Sequence, residues 1–174
     1  MTTITTTTVA SRTIDSPVGP LTLGATPRGL RFVWWPEDSR PLPAVDDGAS
    51  ERDVEAASAH LDAAATQLRE YFDGTRTTFD VALDPVGTEF QLAAWTALRT
   101  IDFASTVSYG EQARRMGDAR KARAVGAANG RNPISIIVPC HRVVGADGSL
   151  TGFAGGLSTK AWLLDHERRV IAAA

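Results

Sequence analysis

The single cysteine of the chain, Cys140, is the residue best suited to act as a nucleophile. It follows Pro139 at the end of an apolar run and precedes two potential cations, His141 and Arg142. Cationic neighbours stabilise a thiolate, and an imidazole can accept the thiol proton. Because adjacent side chains of an extended segment point in opposite directions, His141 would take this proton more easily through a water molecule. An inert, buried cysteine is the alternative.

A carboxylate at the margin of an apolar helical stripe could complete such a site. Glu167 lies four residues after Leu163 and three before Val170, in the predicted last helix. A carboxylate in that place needs a polar partner. A histidine nitrogen would serve, giving a Glu-His-Cys relay in which the carboxylate orients the imidazole. An ordinary surface glutamate is the competing interpretation.

The composition is that of a folded protein with one domain or two small ones. Of the 174 residues, 43% are hydrophobic and 22% are charged, near the average for globular chains. Residues 1–11 are threonine-rich without the features of a secretory signal, and we predict a disordered tail. No apolar run approaches the ~20 residues that span a bilayer, and one cysteine excludes an intramolecular disulfide. We therefore expect a cytoplasmic protein without membrane attachment.

Charge is distributed unevenly along the chain. Residues 1–86 contain 7 basic and 13 acidic side chains, whereas residues 87–174 contain 11 and 7. Between residues 112 and 131, six basic side chains stand against one acid, Asp118. This density could neutralise several phosphates of a nucleic acid. A solvated helix face would explain the same charges.

The first half, residues 12–86, is predicted to be a small α/β domain. Short apolar runs separated by glycine and proline favour two or three antiparallel strands. An alanine-rich helix follows residue 50, with apolar side chains at helical spacing and Gly74 as its stop signal. The segment TFDVALD, residues 78–84, is predicted to be a further strand before the domain boundary.

The second half, residues 87–174, is predicted to be mostly helical. Thr88 and Ser108 are each followed three residues later by glutamine or glutamate, the spacing of a capping box. Gly117 should end the second of these helices, so that two short helices around a glycine turn indicate a helix-turn-helix. The last helix is predicted to start with Ser158 as its N-cap.

The second helix of this helix-turn-helix, residues 119–129, consists largely of alanine and glycine. It lacks the long polar side chains with which a helix reads bases in the major groove. Small residues would instead let its backbone approach DNA closely in the minor groove, which is ~6 Å wide. Tight packing against another helix explains the same composition and remains open.

The segment Asn132–Gly145, NPISIIVPCHRVVG, resembles the signature of the O6-alkylguanine-DNA alkyltransferases, also called methylated-DNA–protein-cysteine methyltransferases. Further matches are TVSYGEQARRMG, ARAVGAANGRNP, GSLTGFAGGLSTKAWLLDHE and DSPVGPLTLGAT. The chain is identified as a member of this family. Membership implies DNA repair by irreversible, single-turnover transfer of an alkyl group from O6-alkylguanine, or O4-alkylthymine, to Cys140.

The resemblance also implies a fold and a catalytic set. The fold is a ribonuclease H-like α/β domain followed by a mostly α, winged helix-turn-helix-like domain. Cys140 would be the acceptor, His141 its water-linked base and Glu167 the partner of His141. Asn132 matches the asparagine that braces the active-site segment.

A pocket for the alkylated base is implied as well. Tyr109 would donate from its hydroxyl to guanine N3, and Lys160, matching a lysine of the pocket loop, would help to offset charge on the departing guanine. The carbonyls of Cys140 and Val143 would accept from the guanine amino group. The backbone N–H of Ala154 would donate to O6.

The implied partner is double-stranded DNA, bound through the minor groove by a monomer. Arg123 matches the arginine finger that fills the space left by a flipped nucleotide. The other expected DNA contacts lie on or just after the same helix. They are Ala122, Gly126, Ala127, Gly130 and Arg131.

The sequence departs from the family pattern at Phe153, where many members have tyrosine. Stacking on the substrate is kept, but a hydroxyl contact is lost. No cofactor is expected, nor is the zinc site of some members, because the chain has only three histidines and its cysteine is otherwise engaged. The alternatives are a cysteine hydrolase, a DNA-binding relative without transfer activity, and a regulator with an added cysteine-rich domain. Repeated turnover would reveal the first, Cys140 argues against the second, and the cysteine count against the third.

Overall fold

The computed structural model describes residues 7–174, which divide into two compact units between Val86 and Gly87. The first unit contains a three-stranded antiparallel sheet in the order β1-β2-β3 and one long helix, α1. The second unit is mostly helical. This architecture confirms the predicted fold class.

In the first unit, alternating side chains of β2 face a helix. The strands are β1 (Ala10–Ile14), β2 (Leu21–Thr26) and β3 (Gly29–Trp34), and the helix is α1 (Glu51–Phe72). Ser50 caps α1 by accepting from the N–H of Asp53, and Gly74 follows the helix with a φ of +78°. The core residues of β2 and α1 are fully or almost fully buried. They include Leu21, Leu23, Ala25, Ala57, Leu61, Ala64 and Leu68.

Two expectations for the first unit differ from the structure. The first strand begins at Ala10, and Thr8 is already buried with its N–H bonded to the carbonyl of Ala44, so order starts before residue 12. The rest of the predicted tail, residues 1–6, lies outside the described residues. The backbone N–H and C=O of Thr8 are bonded to other backbone groups, whereas a disordered tail would leave them to water.

The predicted strand over residues 78–84 is wrong. This segment pairs with β3 only at Leu30, through an isolated bridge to Leu83. The N–H and C=O of Asp80 are instead bonded to the side chain of Gln67. Asp84 accepts from the Thr26 hydroxyl at 2.6 Å. The side chain of Gln67 thus satisfies the backbone groups of Asp80, which a strand would pair along a ladder.

In the second unit, side-chain caps mark the start of the first two of the four α-helices. Its elements are α2 (Glu89–Leu98), β4 (Val107–Ser108), α3 (Tyr109–Arg115), α4 (Ala122–Asn129), β5 (Val143–Val144) and α5 (Leu157–Ala173). Thr88 and Gln91 form the full capping box, whereas Ser108 accepts from the N–H of Glu111 without the reciprocal bond. The expected cap of α5 is wrong, because α5 begins at Leu157 after Gly156, whose φ is +87°.

Helices α3 and α4 form the predicted helix-turn-helix around Gly117, whose φ is +108°. Asp118 caps a 3₁₀ turn that leads into α4. The side-chain amides of Gln112 and Asn129 bond each other at 2.7 and 3.1 Å, which ties α3 to α4. Trp95 of α2 donates to the carbonyl of Ala128 at 2.9 Å. Within the described part of the chain, no helix has the length and apolar character to cross a membrane.

Candidate active site

The segment before Cys140 is a tight, buried turn held by Asn132. The Asn132 Nδ2 donates to the carbonyl of Val138 at 2.8 Å, and its Oδ1 accepts from the N–H of Ile134 at 3.0 Å. Between these residues, Ile136 has a φ of +75°, which is disfavoured for a β-branched residue and costs about 1–3 kcal/mol. The Asn132 bonds lie on both sides of the strained residue. The geometry therefore agrees with the bracing role implied for Asn132.

Cys140 is 8% exposed and begins a 3₁₀ turn, Cys140–Arg142. The expectation of an extended segment at this point is wrong, because the chain bends back here. Burial raises the pKa of the thiol, while hydrogen bonds with the Asn132 and Ser135 side chains and the charge of Lys160 act in the opposite direction. Sequence reasoning missed Ser135, since a serine within an apolar run carries no distinctive signal.

The structure brings His141 and Glu167 into direct contact, as the relay requires. Nε2 of His141 lies 2.7 Å from a carboxylate oxygen of Glu167, and both side chains are fully buried. An ionised carboxylate is only an acceptor, so Nε2 carries the proton. Nδ1 of His141 is buried and has no hydrogen-bond partner among residues 7–174. The imidazole thus presents a free lone pair inside the protein.

Arg142 is a second partner of Glu167. The sequence did not reveal this pairing. The Nε and Nη2 of Arg142 donate to the carboxylate at 2.9 to 3.2 Å, and its Nη1 donates to the carbonyl of Ile101 at 2.7 Å. The N–H of Ala104 also donates to Glu167, at 2.9 Å. Arg142 therefore neutralises Glu167, and the interpretation of its charge as a thiolate stabiliser is corrected. Only the fold could show this, because the two residues are 25 positions apart.

These contacts set the protonation of the pair. Burial raises the pKa of Glu167, but hydrogen bonds and charge from His141 and Arg142 outweigh it and lower the pKa to about 2. Burial lowers the pKa of His141 below its ordinary value, against the opposing effect of Glu167 and with further lowering by Arg142 and Lys160. At neutral pH the site holds an ionised carboxylate and a neutral imidazole, which is the form that accepts a proton.

Three residues assigned to the base pocket lie close together. Lys160 is fully buried, and its ammonium donates to the carbonyls of Val143 and Thr151 at 2.7 and 2.8 Å. The Lys160 ammonium lies 5.9 Å from the ring centroid of Tyr109. Lys160 belongs to α5 and not to a loop, which corrects that detail. Burial lowers its pKa, although the nearby Cys140 acts in the opposite direction.

An open depression of about 420 Å³ lies between α4 and the loop that precedes α5. This volume is in the range of small-molecule sites, about 300–1,000 Å³. Its lining combines residues assigned to the base pocket or to DNA contact with two residues of the glycine-rich loop, which no site assignment named individually. The lining residues are Tyr109, Ala122, Arg123, Gly126, Thr151 and Gly152.

The remaining assigned residues lie outside the lining of this depression. Ala127, Gly130 and Arg131 are exposed on or just after α4, next to the exposed Arg123. Phe153 and Ala154 are half-buried in the loop between β5 and α5. In residues 7–174, no group of three or more His, Cys, Asp or Glu side chains could hold a metal ion.

Two family models match consecutive parts of the chain. The ribonuclease-like domain of 6-O-methylguanine DNA methyltransferase matches residues 9–85, and the DNA-binding domain of the same family matches residues 89–169. These two ranges cover nearly all of the two compact units.

Relatives and solved structures agree with these matches over most of the chain. The methylated-DNA–protein-cysteine methyltransferase of Mycobacterium bovis is 49% identical over 161 residues, 90% of this chain and 91% of the relative. The protein of that name from Methanosarcina acetivorans is 43% identical over 153 residues, 88% of this chain and 94% of the relative. The structure of Mycobacterium tuberculosis OGT in complex with DNA is 47% identical, with a TM-score of 0.79 over 92% of this chain and 93% of that one. This chain belongs to the methylated-DNA–protein-cysteine methyltransferase family.

Proposed function

We propose that this protein repairs alkylated DNA by moving an alkyl group from O6 of guanine, or O4 of thymine, to Sγ of Cys140. The observation that carries the proposal is the buried pair of His141 and Glu167, 2.7 Å apart, next in sequence to the only cysteine. Burying a neutral imidazole and an ionised carboxylate beside a thiol has little structural use. It suits proton removal from that thiol.

In the proposed step, the thiol loses its proton as the sulfur attacks the alkyl carbon. His141 takes this proton at Nδ1 through a water molecule, while Glu167 holds the imidazolium that forms. The Sγ–C bond forms as the C–O6 bond breaks, and the electron pair of the broken bond passes to guanine. Guanine then takes up one proton from solvent, and His141 releases to solvent the proton that it took from Cys140, so the overall step balances.

The departing guanine needs hydrogen bonds that strengthen as charge develops on it. We assign these to the Tyr109 hydroxyl at N3 and to the N–H of Ala154 at O6, with Lys160 as the nearby cation. The carbonyls of Cys140 and Val143 would accept from the amino group. Val143 already accepts from Lys160 at 2.7 Å, but a carbonyl oxygen has two lone pairs and can accept twice. Phe153 would stack on the base.

DNA would approach through the exposed surface of α4. Its small residues Ala122, Gly126 and Ala127, and Gly130 after it, let the backbone come close to a minor groove, and Arg131 would pair with a phosphate. A base inside a duplex is out of reach of Cys140, so the nucleotide must leave the stack at a cost of a few kcal/mol. Arg123, exposed beside the depression, would fill the space left behind.

The product is a thioether, which has no easy reverse step, so each molecule would react once. Intact-protein mass spectrometry after mixing with methylated duplex DNA tests this directly. We expect one methyl group per chain, located on Cys140, after which transfer stops. Cys140→Ser should bind the duplex without gaining mass. Continued product release after every thiol has reacted would indicate a hydrolase instead. Cytoplasmic location, a monomeric state and the absence of a cofactor stay predictions.

A further inference from the structure

Thr151 is hydrogen-bonded to two residues of the proposed base pocket, Tyr109 and Lys160. Its Oγ1 donates to the hydroxyl oxygen of Tyr109 at 3.0 Å. Its carbonyl accepts from that hydroxyl at 3.2 Å and from the ammonium of Lys160 at 2.8 Å. Gly152, the next residue, has a φ of +44°, which turns the loop at this point. Tyr109 and Thr151 are 42 positions apart, so only the fold joins them.

The two hydrogen bonds between Thr151 and Tyr109 respond differently when the Tyr109 hydroxyl donates to a substrate. When the hydroxyl proton of Tyr109 turns from the Thr151 carbonyl to a substrate, that carbonyl keeps the shorter, charged bond from Lys160. No backbone acceptor is then left without a donor. The bond from Oγ1 to the Tyr109 oxygen does not compete with the substrate, because it uses a lone pair and not the proton.

We propose that Thr151 is a positioning residue for Tyr109. Its hydroxyl donates to the oxygen of Tyr109 while Tyr109 donates to N3 of the alkylated purine. This inference rests on the proposed function. A hydroxyl that accepts a hydrogen bond becomes a better donor in the chain that results. The gain grows as charge develops on the departing purine, so Thr151 acts mainly on the transfer step and little on DNA binding.

The position allows a matched set of variants. Thr151 is exposed, so Thr151→Val removes the hydroxyl at nearly constant shape without opening a cavity in the core. Thr151→Ser keeps the hydroxyl. All variants keep the backbone carbonyl that Lys160 and Tyr109 use.

Single-turnover transfer from methylated duplex DNA tests the proposal, with the rate at saturating DNA separated from the DNA concentration at half-saturation. Thr151→Val should lower the saturating rate about threefold to tenfold, the size expected for one neutral hydrogen bond. It should leave half-saturation unchanged. Thr151→Ser should react at close to the unmodified rate. A shift in half-saturation alone, or a faster rate in Thr151→Val, would overturn the proposal.

A second substrate separates this role from a structural one. In a duplex with 3-deaza-O6-methylguanine, a C–H group replaces N3 and Tyr109 has nothing to donate to. The unmodified protein should react more slowly, and Thr151→Val should then cause no further loss. An equal loss on both substrates would refute the coupling through Tyr109. If the unmodified protein transfers no methyl group to Cys140, the proposed function itself fails.

Discussion

Replacing Arg142 with methionine should destabilise the second unit strongly. Arg142 donates to the Glu167 carboxylate at 2.9 to 3.2 Å, and the two side chains are 7% and 0% exposed. Removing one partner of a buried ion pair costs about 3–5 kcal/mol, because the other charge is left uncompensated. The imidazole of His141 and the N–H of Ala104 remain as donors to Glu167. We therefore expect the lower end, about 3 kcal/mol.

The size of this loss should depend on pH through His141. Burial lowers the pKa of His141 below 6.5, Glu167 opposes this, and Arg142 adds to the lowering. Without Arg142, the pKa of His141 rises. The folded variant can therefore protonate His141 at a higher pH than the folded unmodified protein can, and this offsets part of the lost stability at low pH. The destabilisation should thus be smaller at about pH 6 than at about pH 8, on either side of the ordinary histidine value.

The rate of alkyl transfer by Arg142→Met should have the opposite pH dependence, with the larger loss at the lower pH. A protonated His141 cannot accept the thiol proton, so the variant Arg142→Met should transfer slowly at about pH 6 and recover toward about pH 8. The unmodified protein, whose His141 has the lower pKa, should lose less rate at the lower pH.

Urea unfolding and single-turnover transfer at both pH values measure these effects. Arg169→Met is the matched control on α5. Arg169 pairs with Asp165 at 3.0 Å, and their side chains are 60% and 61% exposed. Arg169 also lies 5.8 Å from the ring of Trp162. Such exposed contacts contribute up to about 1 kcal/mol each, without the pH dependence that a buried histidine causes. Equal losses in both variants, or a pH profile of Arg142→Met that superimposes on that of the unmodified protein, would refute the reasoning.

Two further predictions concern the DNA-facing surface. Arg123→Ala should slow repair in a duplex more than reaction with the free alkylguanine base, which leaves no gap to fill; equal losses in single-turnover assays would contradict the finger assignment. Gly126→Ala should raise the free energy of unfolding by up to about 1 kcal/mol, because alanine favours a helix and the added Cβ meets the Tyr109 ring only at 3.6 and 3.7 Å. It should nevertheless slow transfer from duplex DNA, because the alanine side chain would stand in the depression. An unchanged transfer rate would show that the base reaches Cys140 by another path.

The starts of α2 and α3 are predictable from this sequence because each depends on residues within one turn. Thr88 and Ser108 cap the helices that their spacing predicts, and Gly117 takes the left-handed conformation expected after a helix. The same reasoning fails at residues 78–84. Whether a segment becomes a strand depends on a distant partner, and here Gln67 occupies the polar groups of Asp80.

For the candidate site, the sequence by itself singled out the proposed reacting group and its neighbour. A single cysteine after proline, followed by histidine, can be read directly, and the surrounding signature identifies the family. Glu167 could be named as a carboxylate in need of a partner, because burial of an unpaired charge is unfavourable.

Only the tertiary structure decided how the charges are shared. It paired both His141 and Arg142 with Glu167, and together they lower the pKa of the carboxyl to about 2 against the effect of burial. It placed the Lys160 ammonium on the carbonyl of Val143, and it bonded Thr151 to Tyr109. Each of these contacts joins residues 17 to 42 positions apart. No local pattern encodes them, because the direction of a side chain and the dielectric around it are set by the packing of the whole unit.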